Sequence, residues 1–150
     1  MTQIVTIGPI AHHCPADTER VDLEIYGVDH FKPSYAAMVF VNDPDVTAET
    51  ATPDRPSFAG EFAVFGHATC VGDEGHCSQT KTERRRFDTR PSSPLTKAFK
   101  RVTITSAALA AAAKGEEMTL TIVASSGDPE ADERYAPLLD CTGMQLVSFG

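Results

Sequence analysis

A two-residue period constrains this chain more than any other feature. In Arg20-Val21-Asp22-Leu23-Glu24-Ile25-Tyr26-Gly27-Val28, apolar and polar residues alternate. Val21, Leu23 and Ile25 fall on one side of an extended backbone, and Asp22, Glu24 and Tyr26 on the other. That is the pattern of a half-buried strand in an antiparallel sheet. The same period returns in Gln3 to Ile10, Phe99 to Thr105 and Met118 to Val123. Pro9 predicts that the first of these lies at an edge, because proline offers no donor to a strand ladder. Ser34 to Asn42 is apolar on both sides and predicts a central strand, stopped by the turn chemistry of Asn42-Asp43-Pro44-Asp45. Val46 to Ser57 reads as a surface loop. Phe58 to Gly66 is a further strand, with Gly60 marking a bulge or a close backbone approach. Leu138 to Phe149 is a last strand or a bent pair, with Gly143 at the bend.

Ser106 is placed to cap one short helix, Ala107 to Lys114, which Gly115 ends. About seven or eight short strands separated by turn signals predict an all-β fold, an antiparallel β-sandwich with one short helix. No linker and no internal repeat divides the chain, so residues 1–150 form a single domain. Its expected core holds Val21, Leu23, Ile25, Val39, Phe62, Val64, Ile104, Leu120, Ile122 and Leu146.

Reactive side chains gather in one place. Phe62 to Cys77 begins as a strand and turns into a glycine-punctuated loop in which His67, Cys70, His76 and Cys77 give the pattern H-x2-C-x5-H-C. Gly66, Gly72 and Gly75 let that backbone turn sharply. Imidazoles and thiolates together suit copper or zinc. Asp73 and Glu74 are either solvent-facing or able to orient a ligating imidazole. A second clump, His12-His13-Cys14, lies between the first two strands. If the first strand pairs near the Phe58–Gly66 strand, both clumps share one end of the sandwich and can supply three or four ligands to one ion. His30 is the weakest candidate, and Cys141 reads as core.

The same loop has a bland reading, in which Cys70 and Cys77 close a disulfide or are inert small hydrophobes. The N-terminal Met1 to Ile7 has neither a basic n-region nor an apolar h-region, so a cytoplasmic protein is expected, and reduced thiols with it. The formal charge of −8, from 13 Lys and Arg against 21 Asp and Glu, opposes binding to nucleic acid and to anionic membrane. No apolar run approaches the ~20 residues of a membrane span. The basic run from Lys81 to Arg90 stands out in so acidic a chain and reads as a solvated loop or a docking arm for an acidic partner. No nucleophile elbow, zinc-protease helix or phosphate loop is present, so the catalytic residues are unknown and any enzymatic reading depends on a metal.

Ser34-Tyr35 with Val39 to Asp45, then Phe58-Ala59-Gly60-Glu61-Phe62-Ala63-Val64-Phe65-Gly66-His67, Gly72-Asp73-Glu74-Gly75-His76-Cys77 and Pro94-Leu95-Thr96 form an ordered set. Over roughly residues 20–149, that set resembles the C-terminal β-sandwich domain of tyrosinases, haemocyanins and related type-3 copper proteins. A dicopper centre needs six histidines on a helical bundle, whereas this chain has five histidines and one short predicted helix. The resemblance therefore implies the fold and a copper context without tyrosinase activity. It also implies a type-3 copper enzyme, or another protein, as partner, since the family's domain lies over the copper site and controls access to it. Three functions are compatible with these residues: a copper-binding accessory or copper-handling module with zinc as alternative ion, a mononuclear copper oxidoreductase, or a structural interaction domain with a loop disulfide. The expected metal ligands are His67, His76, Cys77 or Cys70, and one residue of His12, His13 and Cys14.

Overall fold

Among the residues described by the computed structural model (1–10, 15, 17–69, 75–78, 86–89, 94–115, 117–129 and 131–150), seven strands form two antiparallel sheets. In chain order they are β1 (Thr2–Ile10), β2 (Arg20–Val28), β3 (Tyr35–Val41), β4 (Phe58–Val64), β5 (Ala98–Thr103), β6 (Met118–Ser125) and β7 (Gly143–Phe149), with helix α1 (Thr105–Ala113) between β5 and β6. One sheet has the order β1-β6-β3-β4 and the other β5-β2-β7. The all-β antiparallel sandwich expected from the two-residue period is the fold, with strand β1 at an edge and β3 in the interior of its sheet.

The alternation places the core. Val21, Leu23 and Ile25 of β2 face Val39, Leu120 and Ile122 of the other sheet in one cluster, joined by Phe62, Val64, Ile104, Leu138 and Leu139. Of the residues expected inside, all but Leu146 are buried, and Leu146 packs partly exposed on the same cluster. The segment from Val46 to Ser57 does more than link two strands. Val46 packs with Phe40 and Val123 in a second small cluster that includes Ala51 and Phe58. The segment is pinned by Asp43, which accepts from Arg55 Nε at 2.6 Å and from Ser57 Oγ at 2.5 Å. Those bonds, Arg55's first, hold the Asp43 carboxyl down at about 2.

Three local expectations change. Asp22 and Glu24 point outward as the period requires, yet both are buried, Asp22 with 0% exposure. Asp22 accepts from Arg20 Nη2 at 2.5 Å and from Thr103 Oγ1 at 2.8 Å, while Glu24 accepts from Tyr26, from Arg101 at 2.9 Å and from Gln145 at 3.2 Å. Donors from β2 itself and from the flanking β5 and β7 thus cover these carboxylates with bonds as water otherwise would, and both are held below the usual carboxylate range, Asp22 first by Arg20 and Glu24 first by Tyr26. Helix α1 starts at Thr105, so Ser106 lies inside it and its N-terminus has no side-chain cap. Ile104 is buried and fixes the junction, and Thr105 Oγ1 accepts from Val21 N at 3.0 Å. The end of the helix is as expected, with Gly115 at φ 68°. Finally, Leu138 and Leu139 are core residues outside any strand, and β7 begins only at Gly143.

Candidate functional site

The pairing of β3 with β4 brings the β2–β3 turn against the exit of β4. Tyr35 lies opposite Val64 in that ladder. Beyond it the chains stay together: Gly66 N donates to Ser34 Oγ at 2.9 Å, His67 N to His30 O at 2.8 Å and Ala68 N to Lys32 O at 3.2 Å. Only glycine fits at position 66, because a Cβ there would stand 2.0 Å from Lys32 O and 2.3 Å from Pro33 C. Its role is close approach, while Gly75, at φ 82°, supplies the left-handed turn before His76. Around the turn, Phe31 N donates to Asp29 Oδ1 at 2.9 Å, and Lys32 Nζ reaches Pro137 O at 2.6 Å and Asp140 Oδ2 at 3.2 Å. The His76 segment is tied back by Leu95 N donating to Ser78 O at 2.9 Å.

Three imidazoles meet on this scaffold. The ring of His67 is 5.1 Å from that of His30 and 6.1 Å from that of His76, centroid to centroid. A ring nitrogen about 2.0 Å from an ion puts its centroid roughly 3.2 Å away, and two such rings at a tetrahedral angle lie roughly 5.2 Å apart. The His30–His67 spacing is that of two rings able to share one ion, and the His67–His76 spacing is about 0.9 Å wider than that tetrahedral value. As they stand the three succeed one another without converging, and among the described residues no group of three or more His, Cys, Asp or Glu is arranged to hold a metal. His30 Nε2 lies 2.6 Å from Thr96 O, a carbonyl that can only accept, so Nε2 donates there and the neutral ring would offer its lone pair at Nδ1. A histidine that donates one nitrogen to a backbone carbonyl and offers the other is the usual outer-shell arrangement of a metal ligand. His67 Nδ1 is buried without a hydrogen-bond partner among the described residues. Such an atom costs about 1–3 kcal/mol unless something meets it. Phe65, 77% exposed, meets the His67 ring edge to face with centroids 5.4 Å apart.

Of the residues named from the sequence, His67 and His76 come together, and His30, the weakest candidate, stands beside them. Cys77 is disulfide-bonded, whereas the sequence predicts reduced thiols; in that state its sulfur carries no thiolate for a metal. Cys70, Asp73 and Glu74 lie outside the described residues, as do His12, His13 and Cys14. The pairing that would join the two clumps is not met. Strands β1 and β4 are opposite edges of their sheet and run in opposite directions, since Ile10 pairs with Met118 while Val64 pairs with Tyr35 and Thr2 with Ser125. Ile10 and Arg20, which flank the His12–Cys14 segment, therefore stand at the end of the sandwich remote from His67. Cys141 is a free thiol that packs partly buried on the core, and burial pushes it up, away from reactivity. The basic run from Lys81 to Arg90 lies mostly outside the described residues, within which Arg86 and Phe87 are exposed.

No helix among the described residues is long and apolar enough to cross a membrane. No protein-family model, curated protein or solved structure matches this chain.

Proposed function

We propose that this protein is a metal-binding β-sandwich that takes copper, with zinc as the alternative ion, at an end-loop site built on His67 and His76, with His30 as third ligand. The observation that carries this reading is the succession of three imidazoles with ring centroids 5.1 and 6.1 Å apart, one with a buried orphan nitrogen and one with Nε2 bound to a backbone carbonyl. Imidazole sets suit both ions, and availability decides between them. In keeping with the resemblance to the type-3 copper C-terminal domain, the protein acts as an accessory or copper-handling module with a type-3 copper enzyme or another protein as partner. A cytoplasmic setting belongs to the same proposal. There the thiol pool would keep the Cys77 disulfide under reducing pressure.

The disulfide at Cys77 favours a second reading, a structural interaction domain in which the loop is stapled and holds no metal. Titration of metal-free protein with zinc(II) and copper(II) separates the two. The metal reading expects one ion per chain, binding that weakens in acid because an imidazole must be unprotonated to ligate, and affinity at least tenfold lower in a His67→Ala, His76→Ala double variant that still folds. If the double variant binds both ions as tightly as the parent, the loop is not the site.

A further inference from the structure

We infer that Cys77 makes the ion preference of this site depend on redox state: oxidised, the site is an all-imidazole set for zinc(II) or copper(II), and reduced, it gains a thiolate and takes copper(I). The inference rests on the metal-binding reading above and adds to it the valence of the ion. Its grounds are positional. Cys77 is joined directly to His76, so their Cα atoms are about 3.8 Å apart and both side chains can reach one ion from an irregular turn. The turn is held in place from both sides, by the left-handed Gly75 before it and by the Ser78–Leu95 bond after it. The ring of His76 stands 6.1 Å from that of His67, so a sulfur donor one residue on is within reach of that imidazole pair.

While Cys77 is disulfide-bonded, its sulfur is a poor donor and the nitrogen set alone faces the ion. Imidazoles without sulfur suit zinc(II) and copper(II), whereas thiolates select copper(I). In the reducing step a dithiol gives two electrons and two protons to the Cys77 disulfide and closes to a disulfide itself. Cys77 and the cysteine bonded to it both leave as thiols, and when the Cys77 sulfur binds copper(I) its proton passes to solvent. The disulfide thus acts as a reversible mask on the Cys77 sulfur next to His76.

The test compares the full chain as isolated in the disulfide form with the chain reduced by a phosphine and desalted without oxygen. All proteins carry Cys141→Ser, so that this free thiol contributes nothing. Zinc(II) titration of the oxidised form reports on the imidazoles alone. Competition for copper(I) against its bicinchoninate complex reports on the added sulfur. The oxidised parent is expected to bind zinc(II) and to leave copper(I) with the competitor, while the reduced parent binds copper(I) at least tenfold more tightly. In the reduced state, both Cys77→Ser and His76→Ala should lose that gain. Equal copper(I) affinity in the oxidised and reduced parents overturns the inference. So does a full gain retained by reduced Cys77→Ser, or by reduced His76→Ala, because copper(I) is then held without the paired donors. A failed zinc(II) arm sinks the imidazole site itself, whereas a successful zinc(II) arm with no redox effect on copper(I) sinks only the switch.

Discussion

Replacing Gly66 with alanine should detach the imidazole cluster from its scaffold while leaving the sandwich folded. The added Cβ would lie 2.0 Å from Lys32 O, 2.3 Å from Pro33 C and 2.5 Å from Ser34 N, all backbone atoms with no rotamer to change. Either the β2–β3 turn or the exit of β4 must move. The bonds at risk are those from Gly66 N to Ser34 Oγ, His67 N to His30 O and Ala68 N to Lys32 O. At about 0.5–1.5 kcal/mol each, losing all three costs roughly 2–4 kcal/mol. That is a large part of the ~5–15 kcal/mol that holds a domain together, but it leaves the main core untouched. For 150 residues, each kcal/mol moves the melting point by roughly 3 °C, so a fall of about 6–12 °C is expected. Gly127→Ala is the control, since nothing stands within 4 Å of its added Cβ, and it should melt within a few degrees of the parent. Thermal melts monitored by circular dichroism give the stability, and zinc(II) titration at 25 °C gives the site, where affinity should fall at least tenfold. A Gly66→Ala protein that melts within 2 °C of the parent and binds zinc(II) equally would refute the close approach and the scaffold with it.

In the core, Leu23→Ala should cost about 2–5 kcal/mol in urea unfolding, and Leu146→Ala, opposite it in the ladder but half exposed, clearly less; equal losses would mean that Leu146 is a full core residue. Acid should destabilise the protein through Asp22 and Asp43, whose folded carboxyls are held below the unfolded value of about 3.9. Their contribution is present above that value and is lost as pH falls toward 2, so the urea midpoint should drop across this window and drop less in Asp43→Asn; a midpoint that rises on acidification would reverse the sign. Changing Arg84, Arg85 and Arg86 together to alanine should leave the melting point unchanged, and any partner binding that it abolishes should weaken with salt in the parent; an unfolded triple variant would make the basic run structural.

The features legible in the sequence are those that depend on neighbours along the chain. The alternation in Arg20–Val28 fixes an extended backbone and says which side chains face inward, because both come from a pleat two residues long. Gly60 is marked as special for the same local reason, and its Cβ would indeed collide with Val102 Cγ1 at 2.6 Å. The burial of Asp22 and Glu24 is invisible there, because their cover includes Arg101, Thr103 and Gln145, which are far away in sequence and come alongside only when β5 and β7 flank β2. Thr105 takes the helix start from Ser106 because Ile104 is needed in the core, a tertiary demand that outweighs a capping preference of about 1 kcal/mol. The state of Cys77 is open in sequence for a similar reason: a thiol and half of a disulfide look alike until the chain brings a second sulfur near or keeps it away.

Grouping ligands by closeness along the chain undervalues His30, although a signal for it is present. Two antiparallel strands continue to face each other past their last pair, so the residues entering one strand stand near the residues leaving its neighbour. With Tyr35 opposite Val64, the residues that lead into β3 must lie against those that leave β4. The turn Asp29-His30-Phe31-Lys32-Pro33 and the exit Phe65-Gly66-His67-Ala68 are those two flanks, and the bonds from His67 N to His30 O and from Ala68 N to Lys32 O are the outcome. The same rule sets Ile10 apart from His67, since Ile10 leaves an edge strand that runs opposite to β4. A one-residue slip of β3 against β4 would turn alternate side chains over, exchanging Phe62 and Val64 in the core for Ala63 and Phe65 outside. The hydrophobic pattern that buries the core therefore also fixes the register that sets His30 beside His67. Ala63→Val with Val64→Ala, which weakens that pattern without touching an imidazole, should loosen metal binding along with stability. Unchanged zinc(II) affinity in a destabilised but folded variant would show that the histidine pair is positioned by its loops alone.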